Sequence, residues 1–425
     1  MKILIATDTY IPYVNGVITS IVNLKSGLEL KGHEVRIITL SDTVHSHKDN
    51  DIYYFGAQST EKVYPGARRK ILGSHKQRKE LLEWKPDIIH TQVEFSSFYV
   101  ARKLSAKGVI PMIHTYHTLY EDYTHYFSQN KKLGVFGVKF LLRYVVSNIE
   151  ALIVPTKKIY KIIDSYKLGC PLKILPTGIT LDKFSIDLST FNKEQFKLDL
   201  GIKKDQFVLL FVGRITKEKN ILEIVTYLKN SSKKDILLLV VGDGPERKNI
   251  ENYIKNSTIS GSINFTGMID PNDVPKYYAI ADLFVSGSMS ETQGLTYIEA
   301  LAAGKPLLCR QDECLEELLE EGKNGYSYTN EHEFFEKLEK LQDVNTLQKM
   351  SEYAKISATK FSKETFTNEM ELFYKEIISN HNAVKLNKIK KIVKTLNSVL
   401  VGFVLWIITG FIYVRAFFFL FRKKK

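Results

Sequence analysis

Short apolar runs alternate with longer amphipathic stretches along most of the chain. The runs are rich in Leu, Ile and Val on both faces, which is typical of strands in a parallel sheet that is covered on both sides. Helical patterns such as Ser20–Lys31 and Leu222–Asn230 lie between them. The predicted strands are Lys2–Thr7, Glu34–Leu40, Ile52–Phe55, Asp87–Thr91, Met112–Thr115, Leu152–Pro155, Phe207–Val212, Leu237–Val241, Ile263–Thr266, Leu283–Ser286 and Pro306–Cys309.

The alternation breaks once, after Pro176-Thr177-Gly178, and then restarts. A βαβ series, a break and a second series predict two Rossmann-like, doubly wound α/β domains facing a cleft, which suits a chain of 425 residues. The predicted boundaries are residues 1–178, residues 179–380 and a tail of residues 381–425. Because ligands of such sheets bind beyond the carboxyl ends of the strands, the loops that follow strands are the candidate functional segments.

The tail has a different pattern. Lysines between residues 385 and 394 precede Val399–Val414, which carries no charge, and Arg415, a second apolar run and a basic end follow. A membrane-spanning helix needs about 20 apolar residues, which this tail reaches only by including Arg415. The pattern predicts a hydrophobic C-terminal membrane segment. Whether Val399–Phe421 spans the bilayer, re-enters it or lies in its plane stays open.

The net charge of +13 is unevenly distributed. It is +9 over residues 1–190, −6 over residues 191–380 and +10 over residues 381–425. An acidic middle argues against nucleic acid as a partner, whereas basic flanks favour an anionic membrane surface. The first apolar run is too short for a secretory leader, so we expect the protein at the cytoplasmic face of the cell membrane.

Two basic segments are candidates for contact with such a membrane. Residues 68–79 predict a basic helix, and Lys131–Val146 combines cations with Leu, Val and Phe in an amphipathic pattern typical of interfacial helices. An ordinary surface helix that packs its apolar face on the core explains each segment equally well.

The motif with the strongest chemical signal runs from Ser290 to Ala300. The strand Leu283–Ser286 leads into a polar loop, and a helix is predicted to begin near Gly294 and Leu295. The first backbone N–H groups of such a helix form a site for a diphosphate, and glycine lets the backbone approach the ligand closely. Glu291 and Glu299 would flank this site and accept hydrogen bonds from the hydroxyl groups of a sugar and a ribose.

A second candidate segment follows the strand Phe207–Val212. It contains Arg214 and Lys219, two cations that suit the two phosphates of a departing nucleotide. Such charges are needed because the leaving group gains negative charge as the glycosidic bond breaks.

The loop after the first strand and the end of a later strand supply further candidates. Gly16 would let the backbone approach a phosphate or a sugar, and no G-x-G-x-x-G motif is present that would indicate a nicotinamide dinucleotide. His114 lies at the carboxyl end of the predicted strand Met112–Thr115 and His117 lies just after it, and His117 is the stronger candidate of the two. The cysteines Cys170 and Cys309 and the neighbouring Cys314 have no His or Cys at metal-ligand spacing, so we expect no metal site there.

These motifs resemble those of GT-B fold, retaining glycosyltransferases of family 4. Within that family the chain is most similar to bacterial 1,2-diacylglycerol 3-glucosyltransferases, which make monoglucosyldiacylglycerol from UDP-glucose. The resemblance covers about residues 1–380 and includes the Glu-x7-Glu signature and the Arg/Lys pair. Strings that resemble the lipid-glucosylating subgroup are Glu291–Ala302, Thr115–Tyr126 and Val154–Tyr160.

The resemblance implies a role for each matching residue. Glu299 would bind the ribose, Glu291 the transferred sugar, and His117 would lie near the reacting sugar and the acceptor hydroxyl. The implied donor-binding set is Gly16, Arg214, Lys219, Glu291, Thr292, Gln293, Gly294, Leu295 and Glu299, and the implied catalytic set is His117, Glu291, Arg214 and Lys219. Such enzymes usually need no metal or cofactor, and they offer no agreed enzymic nucleophile.

Three alternatives stay open at this point. The acceptor could be a glycolipid, a polyprenyl-linked glycan or a teichoic-acid precursor instead of diacylglycerol. A sugar-nucleotide 2-epimerase shares the two-domain fold and would form product without an acceptor. A non-catalytic membrane scaffold that binds a nucleotide would keep its cellular function after Glu299→Ala.

Overall fold

The computed structural model describes residues 1–59, 68–70, 74–120, 131–186, 191–231, 233, 235–255, 257 and 259–383. The predicted membrane segment Val399–Phe421 lies outside these residues. Within the described part of the chain, no helix combines the length and the apolar character that crossing a bilayer requires.

The described residues form sixteen strands and thirteen α-helices. The strands are β1 (Lys2–Ala6), β2 (Glu34–Leu40), β3 (His47–Asp49), β4 (Ile52–Phe55), β5 (Ala57–Ser59), β6 (Arg68–Lys70), β7 (Ile88–Thr91), β8 (Met112–Thr115), β9 (Ala151–Val154), β10 (Leu172–Ile174), β11 (Phe207–Val212), β12 (Ile236–Val241), β13 (Ile263–Gly267), β14 (Leu283–Ser286), β15 (Leu307–Arg310) and β16 (Gly325–Tyr328). The helices are α1 (Gly16–Leu30), α2 (His75–Trp84), α3 (Ser96–Gly108), α4 (Lys131–Val146), α5 (Lys157–Ser165), α6 (Lys193–Asp199), α7 (Ile221–Asn230), α8 (Arg247–Ile254), α9 (Val274–Ile280), α10 (Leu295–Ala302), α11 (Glu331–Gln342), α12 (Val344–Ala358) and α13 (Lys363–Ala383).

These elements form two compact units. Among the described residues, the first unit contains residues 1–155, 159–175 and 367–383, and the second unit contains residues 156–158 and 176–366. The chain changes from one unit to the other after residues 155, 158, 175 and 366.

The C-terminal end of the second unit differs from the prediction, because most of α13 packs with the first unit. The Tyr374 hydroxyl lies 2.7 Å from His90 Nδ1 in a buried contact, and Glu371 forms an ion pair with Lys31. A boundary placed at residue 380 from the sequence could not anticipate contacts between residues this distant in the chain.

The sheet of the first unit has eight strands in the order β10-β9-β8-β7-β1-β2-β4-β3. All pairs are parallel except β3 with β4. The chain builds this sheet outward from β1 in one direction and from β7 in the other. The order therefore reverses between β1 and β7, and the loops that follow these two strands meet at the topological switch point.

The sheet of the second unit has six parallel strands in the order β13-β12-β11-β14-β15-β16. Successive residues of one strand bury against opposite layers: Val208 and Leu210 belong to one apolar cluster, and Leu209 and Phe211 belong to another. This two-sided burial explains why the strands read as continuous apolar runs. The switch point of this sheet lies between β11 and β14.

The predicted strands are confirmed to within one residue at either end. The sequence reading missed β3, β5, β6, β10 and β16, which have only three or four residues each. Short, partly polar edge strands lack the apolar run on which the prediction depends.

The basic helix predicted over residues 68–79 is wrong in its first part. Arg68–Lys70 forms β6, which pairs antiparallel with β5. The Arg68 guanidinium lies 3.0 Å from an Asp42 carboxylate oxygen and donates to the Ser41 carbonyl oxygen at 3.2 Å. These partners within the unit favour the strand, and the described helix begins only at His75.

Candidate active site

The switch point of the second unit brings together two of the predicted site residues. Strands β11 and β14 are neighbours, with Leu209 paired to Leu283, so the loops after them begin side by side. Lys219 Nζ from the first loop lies 2.6 Å from Glu291 Oε1 in the second, and the Glu291 side chain is only 12% exposed.

The two loops also interlock through their backbones. Asn220 adopts a left-handed conformation and donates from Nδ2 to the Gly287 carbonyl oxygen at 3.3 Å. A Cβ atom at Gly287 would lie 2.5 Å from the Asn220 carbonyl oxygen, so glycine is required for this close approach. The position of Lys219 relative to Glu291 is therefore fixed by packing as well as by charge.

The charge state of Glu291 follows from two opposing effects. Burial raises the pKa of the Glu291 carboxyl, but the Lys219 ammonium, a hydrogen bond from Ser288 and the charge of Lys158 together more than offset this, and the resulting pKa lies below the usual value. Glu291 is thus an ionised carboxylate at neutral pH, and it can accept hydrogen bonds from hydroxyl groups but cannot donate a proton.

A buried lysine holds this loop from within the second unit. Lys158 Nζ donates to the carbonyl oxygens of Met289 at 3.1 Å and Glu291 at 3.2 Å. The same ammonium forms an ion pair with Asp312 at 2.7 Å, and both side chains are about nine-tenths buried. Lys158 therefore fixes the backbone on which the Glu291 side chain is mounted.

Two further contacts hold the predicted donor-binding backbone. The Thr156 hydroxyl donates to the Thr292 carbonyl oxygen at 2.8 Å. Gln293 forms a reciprocal pair with the backbone of Thr177: its Oε1 accepts from the N–H at 2.9 Å and its Nε2 donates to the carbonyl at 2.8 Å. The Gln293 side chain therefore has a structural role, and any contact of this residue with a donor would involve its backbone.

Helix α10 begins where the sequence indicated. Gly294 precedes it with φ of 76°, a left-handed conformation, and a Cβ atom there would lie 2.6 Å from the Tyr297 ring. Leu295 is the first residue of the helix. The first N–H groups of α10 have no acceptors within the helix, so this end is suited to an anion.

Glu299 lies one turn into α10 in an environment unlike that of Glu291. The Tyr278 hydroxyl donates to Glu299 Oε2 at 2.9 Å. Burial raises the pKa of the Glu299 carboxyl to about 7, despite the opposing effects of Tyr278 and the Lys183 ammonium. The Glu299 carboxyl therefore changes its protonation state near neutral pH.

Arg214 lies at the same edge of the sheet, directly after β11, and its side chain is exposed. The preceding Gly213 approaches β12 closely: a Cβ atom at Gly242 would lie 2.1 Å from the Gly213 carbonyl oxygen. The two glycines thus allow the backbones that follow β11 and β12 to pass close to each other beside Arg214.

In the first unit, the loops at the switch point are joined by an aspartate. The Asp8 carboxylate accepts hydrogen bonds from the backbone N–H groups of Ser96 at 3.2 Å and Ser97 at 2.7 Å, at the start of α3. Gly16 is the first residue of α1 and is exposed, and the Asn15 side chain caps that helix by accepting from Ile18 N–H.

The two candidate histidines have different environments. His114 is fully buried, with Nδ1 2.8 Å from Thr91 Oγ1 and Nε2 3.1 Å from Glu94 Oε1. His117 is half-buried, and its Nε2 lies 2.6 Å from Gln92 Oε1. The more accessible His117 is the better candidate for contact with a substrate, and His114 has a structural role.

The sequence reading assigned no role to several residues that hold the candidates in place. Lys158, Tyr278 and Gln92 each contact a predicted site residue or its loop, and Asp312 contacts Lys158. Lys158 lies inside the Val154–Tyr160 string noted above, as the second residue of α5. The remainder of the Thr115–Tyr126 string beyond Tyr120 lies outside the described residues.

Cys309 and Cys314 are buried and Cys170 is half-buried, and none of the three forms a disulfide bond. Across the residues that the structure describes, no three His, Cys, Asp or Glu side chains are grouped so that they could hold a metal ion.

Comparisons with protein families agree with the two-unit organisation. The profile of the family described as Glycosyltransferase Family 4 matches residues 14–183. The profile described as Glycosyl transferases group 1 matches residues 192–357.

Two curated relatives are similar over nearly the whole chain. The alpha-monoglucosyldiacylglycerol synthase of Streptococcus pneumoniae is 36% identical, with 90% of this chain and 87% of the relative covered. The alpha-monoglucosyldiacylglycerol synthase of Acholeplasma laidlawii is 35% identical, with 91% and 100% covered.

Solved structures share the fold. HepE of Anabaena, in complex with UDP and glucose, has a TM-score of 0.69 at 16% identity over 88% of this chain and 99% of its own. The sucrose-phosphate synthase of Thermosynechococcus elongatus has a TM-score of 0.70 at 18% identity over 89% and 99%. The chain therefore has a GT-B-like α/β glycosyltransferase fold.

The raised pKa of Glu299 predicts pH-dependent binding of UDP-glucose, the donor that the sequence resemblance implies. The ribose hydroxyls that the resemblance assigns to Glu299 would donate to the ionised carboxylate, so binding below pH 7 would require loss of a proton. We expect affinity to fall roughly tenfold for each pH unit below about 7 and to level off above it. Calorimetric titration with UDP-glucose between pH 5.5 and 8.5 measures this, since its diphosphate does not titrate there. Glu299→Gln should bind more weakly with no such slope; a wild-type affinity that is flat below pH 7 would contradict the assignment.

The Lys158–Asp312 pair predicts that the stability of the protein and the geometry of the Glu291 loop respond differently to substitution. Lys158→Met leaves a buried, unpaired carboxylate, so we expect a loss of about 3–5 kcal/mol in the free energy of unfolding. Lys158→Met with Asp312→Asn should recover much of this stability but not UDP-glucose affinity, because the Glu291 loop still lacks its anchor. Denaturant titration and calorimetry measure the two quantities. Lys323→Met, which removes an exposed ion pair with Glu320, is the control and should cost less than about 1 kcal/mol. Full recovery of affinity in the double variant would exclude the anchoring role.

Proposed function

Because the chain belongs to the glycosyltransferase family of the alpha-monoglucosyldiacylglycerol synthases, we propose that it transfers glucose from UDP-glucose to the 3-hydroxyl of 1,2-diacylglycerol. The observation that carries the proposal is the similarity to two such synthases over about nine-tenths of the chain. The product is monoglucosyldiacylglycerol, a membrane glycolipid.

The geometry of the second unit supports binding of a nucleoside diphosphate sugar. The start of α10 and the Lys219 ammonium present positive potential at the switch point of the sheet, and Arg214 follows β11 at the same edge. In the proposed complex, Lys219 shares its charge between Glu291 and the diphosphate, and stabilises the UDP that departs. Glu299, held by Tyr278, accepts from the ribose hydroxyls. With these cations in place, the proposal needs no metal ion.

The reaction is proposed to retain the anomeric configuration of the donor. UDP-glucose is an α-glycoside, and the names of both relatives specify an alpha-glucosyl product. Glu291 is ionised by its pairing with Lys219, so it is suited to accept hydrogen bonds from the glucosyl hydroxyls. We assign no enzymic nucleophile, and the leaving phosphate is proposed to assist deprotonation of the attacking lipid hydroxyl.

A lipid acceptor requires access to a membrane, and the first unit carries surface features suited to an anionic one. In α4, Phe136 is 66% exposed and Arg143 is exposed, whereas Val138, Leu142 and Val145 are buried. In and beside α3, Phe95 and Tyr99 are exposed, and the Lys103 ammonium lies 4.5 Å from the Tyr99 ring centre. Exposed aromatic and basic side chains are characteristic of interfacial segments. We therefore propose peripheral contact with the cytoplasmic face of the membrane through these helices.

The activity predicts product only when donor, lipid and an intact site are all present. Purified protein with radiolabelled UDP-glucose and vesicles containing 1,2-diacylglycerol should form a monoglucosyl lipid, detected by thin-layer chromatography. Lys219→Ala and Glu299→Ala should each lower the rate about a hundredfold or more, because one removes charge stabilisation of the leaving group and the other a ribose contact. Gln348→Ala, on the surface helix α12, is the control and should keep full activity.

The other outcomes of this assay distinguish the alternatives. Turnover only with a preglycosylated lipid or a polyprenyl-linked acceptor would replace the proposed acceptor. Product from a UDP-sugar without any acceptor would indicate an epimerase. Full activity of Glu299→Ala would contradict the proposed donor site.

The membrane proposal predicts charge-dependent vesicle binding. Lys139→Ala with Arg143→Ala should weaken binding to vesicles with anionic lipid at least tenfold, since each basic residue near such a surface contributes about 1 kcal/mol. Raising the salt concentration should weaken wild-type binding, and neutral vesicles should bind less. Vesicle flotation measures each effect. The matched control is Lys323→Ala with Lys340→Ala in the second unit, both exposed. An equal loss of vesicle binding in the control pair would contradict the assignment of membrane contact to α4.

A further inference from the structure

Asn220 has a backbone conformation that glycine would adopt more easily. It lies between the turn Lys217–Lys219 and helix α7, with φ of 49° in the left-handed region, where a Cβ atom is unfavourable. An asparagine that precedes a helix commonly accepts hydrogen bonds from the first N–H groups of that helix, but the Asn220 side chain makes no such contact with α7. The presence of asparagine here therefore points to another role of its side chain.

The amide of Asn220 donates to two acceptors that belong to different segments of the second unit. Its Nδ2 lies 2.9 Å from Glu223 Oε2 in α7 and 3.3 Å from the Gly287 carbonyl oxygen after β14. An amide nitrogen carries two N–H groups, so it can serve both acceptors at once. We call this pair of contacts the Asn220 bridge. Since Lys219 directly precedes Asn220, the bridge holds the backbone from which the Lys219 side chain extends toward Glu291.

The Glu223 carboxylate is held in turn by a cation at the end of a third strand. Arg310 is the last residue of β15, and its NH1 lies 2.9 Å from Glu223 Oε2, with the two side chains only 24% and 16% exposed. A carboxylate this well covered needs a compensating cation, and Arg310 supplies it. The contacts therefore connect the segment after β11 to the segment after β14 and to the end of β15.

We propose that three residues, Arg310, Glu223 and Asn220, are positioning residues of the transferase. They set the place of the Lys219 ammonium beside Glu291, and so its position on the diphosphate of the donor. This inference rests on the proposed function, because the diphosphate is that of UDP-glucose. The three residues affect the reaction only through Lys219, which distinguishes them from residues that stabilise the fold alone.

The first test is a double-mutant cycle with Lys219, because a residue that acts through another has no effect once the other is removed. Asn220→Gly keeps the left-handed backbone but removes the bridge, and should lower kcat/KM for UDP-glucose about tenfold. In the Lys219→Ala background the same substitution should change kcat/KM less than about twofold. Effects that multiply in the double variant would overturn the proposal.

The matched control for the backbone change is Asn50→Gly in the first unit. Asn50 is exposed and also left-handed, with φ of 48°, and its Nδ2 donates to the neighbouring Asp49 carboxylate at 3.1 Å. The substitution exchanges asparagine for glycine in the same backbone conformation, so it should leave kcat/KM unchanged. A loss equal to that of Asn220→Gly would mean that backbone freedom, and not the bridge, lowers activity.

The ion pair is tested by Glu223→Gln, which keeps the size of the side chain but removes the charge that holds Arg310. We expect kcat/KM to fall about threefold or more while Lys219 is present, and to stay the same in the Lys219→Ala background. Arg310→Met should act in the same direction, and its thermal unfolding is measured alongside because it leaves a carboxylate without its cation. Wild-type activity of Glu223→Gln would exclude the ion pair from the positioning of Lys219.

The second test reads the position of Lys219 and needs no substrate. Burial raises the pKa of Glu291, and the Lys219 ammonium is the largest of the effects that bring this pKa below its usual value. In protein with glutamate ¹³C-labelled at Cδ, the signal that vanishes in Glu291→Gln belongs to Glu291, and its shift against pH gives the pKa. The pKa should rise in Asn220→Gly, toward its value in Lys219→Ala, and should not change in Asn50→Gly.

The outcomes separate this inference from the proposed function. An unchanged pKa of Glu291 in Asn220→Gly would refute the positioning of Lys219, whatever the activity. If the pKa rises as stated but no lipid is glucosylated by the wild type, the transferase function fails and the positioning of Lys219 stands.

Discussion

The pairing of Glu291 with Lys219 is the interaction on which the candidate donor site of the second unit depends. An ionised carboxylate that is nearly nine-tenths buried is costly unless a cation accompanies it, and Lys219 meets that need at 2.6 Å. Lys158 and Thr156 hold the backbone of the loop, and the side chain of Gln293, within the loop, pairs with the backbone of Thr177. These contacts fix the position of the loop, and the lysine that stabilises the Glu291 carboxylate is the one proposed to neutralise a diphosphate.

Both units carry polar side chains in the loops at the switch point of the sheet, but the interactions there differ. Each sheet reverses its strand order once, and in each the polar side chains collect in the two loops that follow the reversal. In the second unit these loops carry opposite charges in direct contact. In the first unit they carry an aspartate that caps a helix and a glutamine that holds an imidazole, so directional hydrogen bonds dominate there.

The sequence predicted the strands well because parallel strands buried on both faces are continuous apolar runs, as in Phe207–Val212 and Leu283–Ser286. It also placed Glu291 and Lys219 in the same edge of one sheet, since loops after neighbouring strands must meet. It could not assign Lys158, which contacts Asp312 from 154 residues away. Nor could it assign Tyr278 to Glu299 or predict that β6 replaces a helix at Arg68. Such contacts depend on how helices pack over a sheet, and apolar periodicity does not encode that.

The interleaved course of the chain through its two units restricts how the protein can be divided or recombined. The three residues 156–158 follow β9 of the first unit yet cluster with the second, and α13 leaves the second unit to pack on the first. A fragment or chimera that begins at residue 179 would lack Thr156 and Lys158, and would leave Tyr374 without its contact to His90. Exchange of whole donor-binding modules between relatives must therefore transplant this short segment together with the module and leave α13 with the other half.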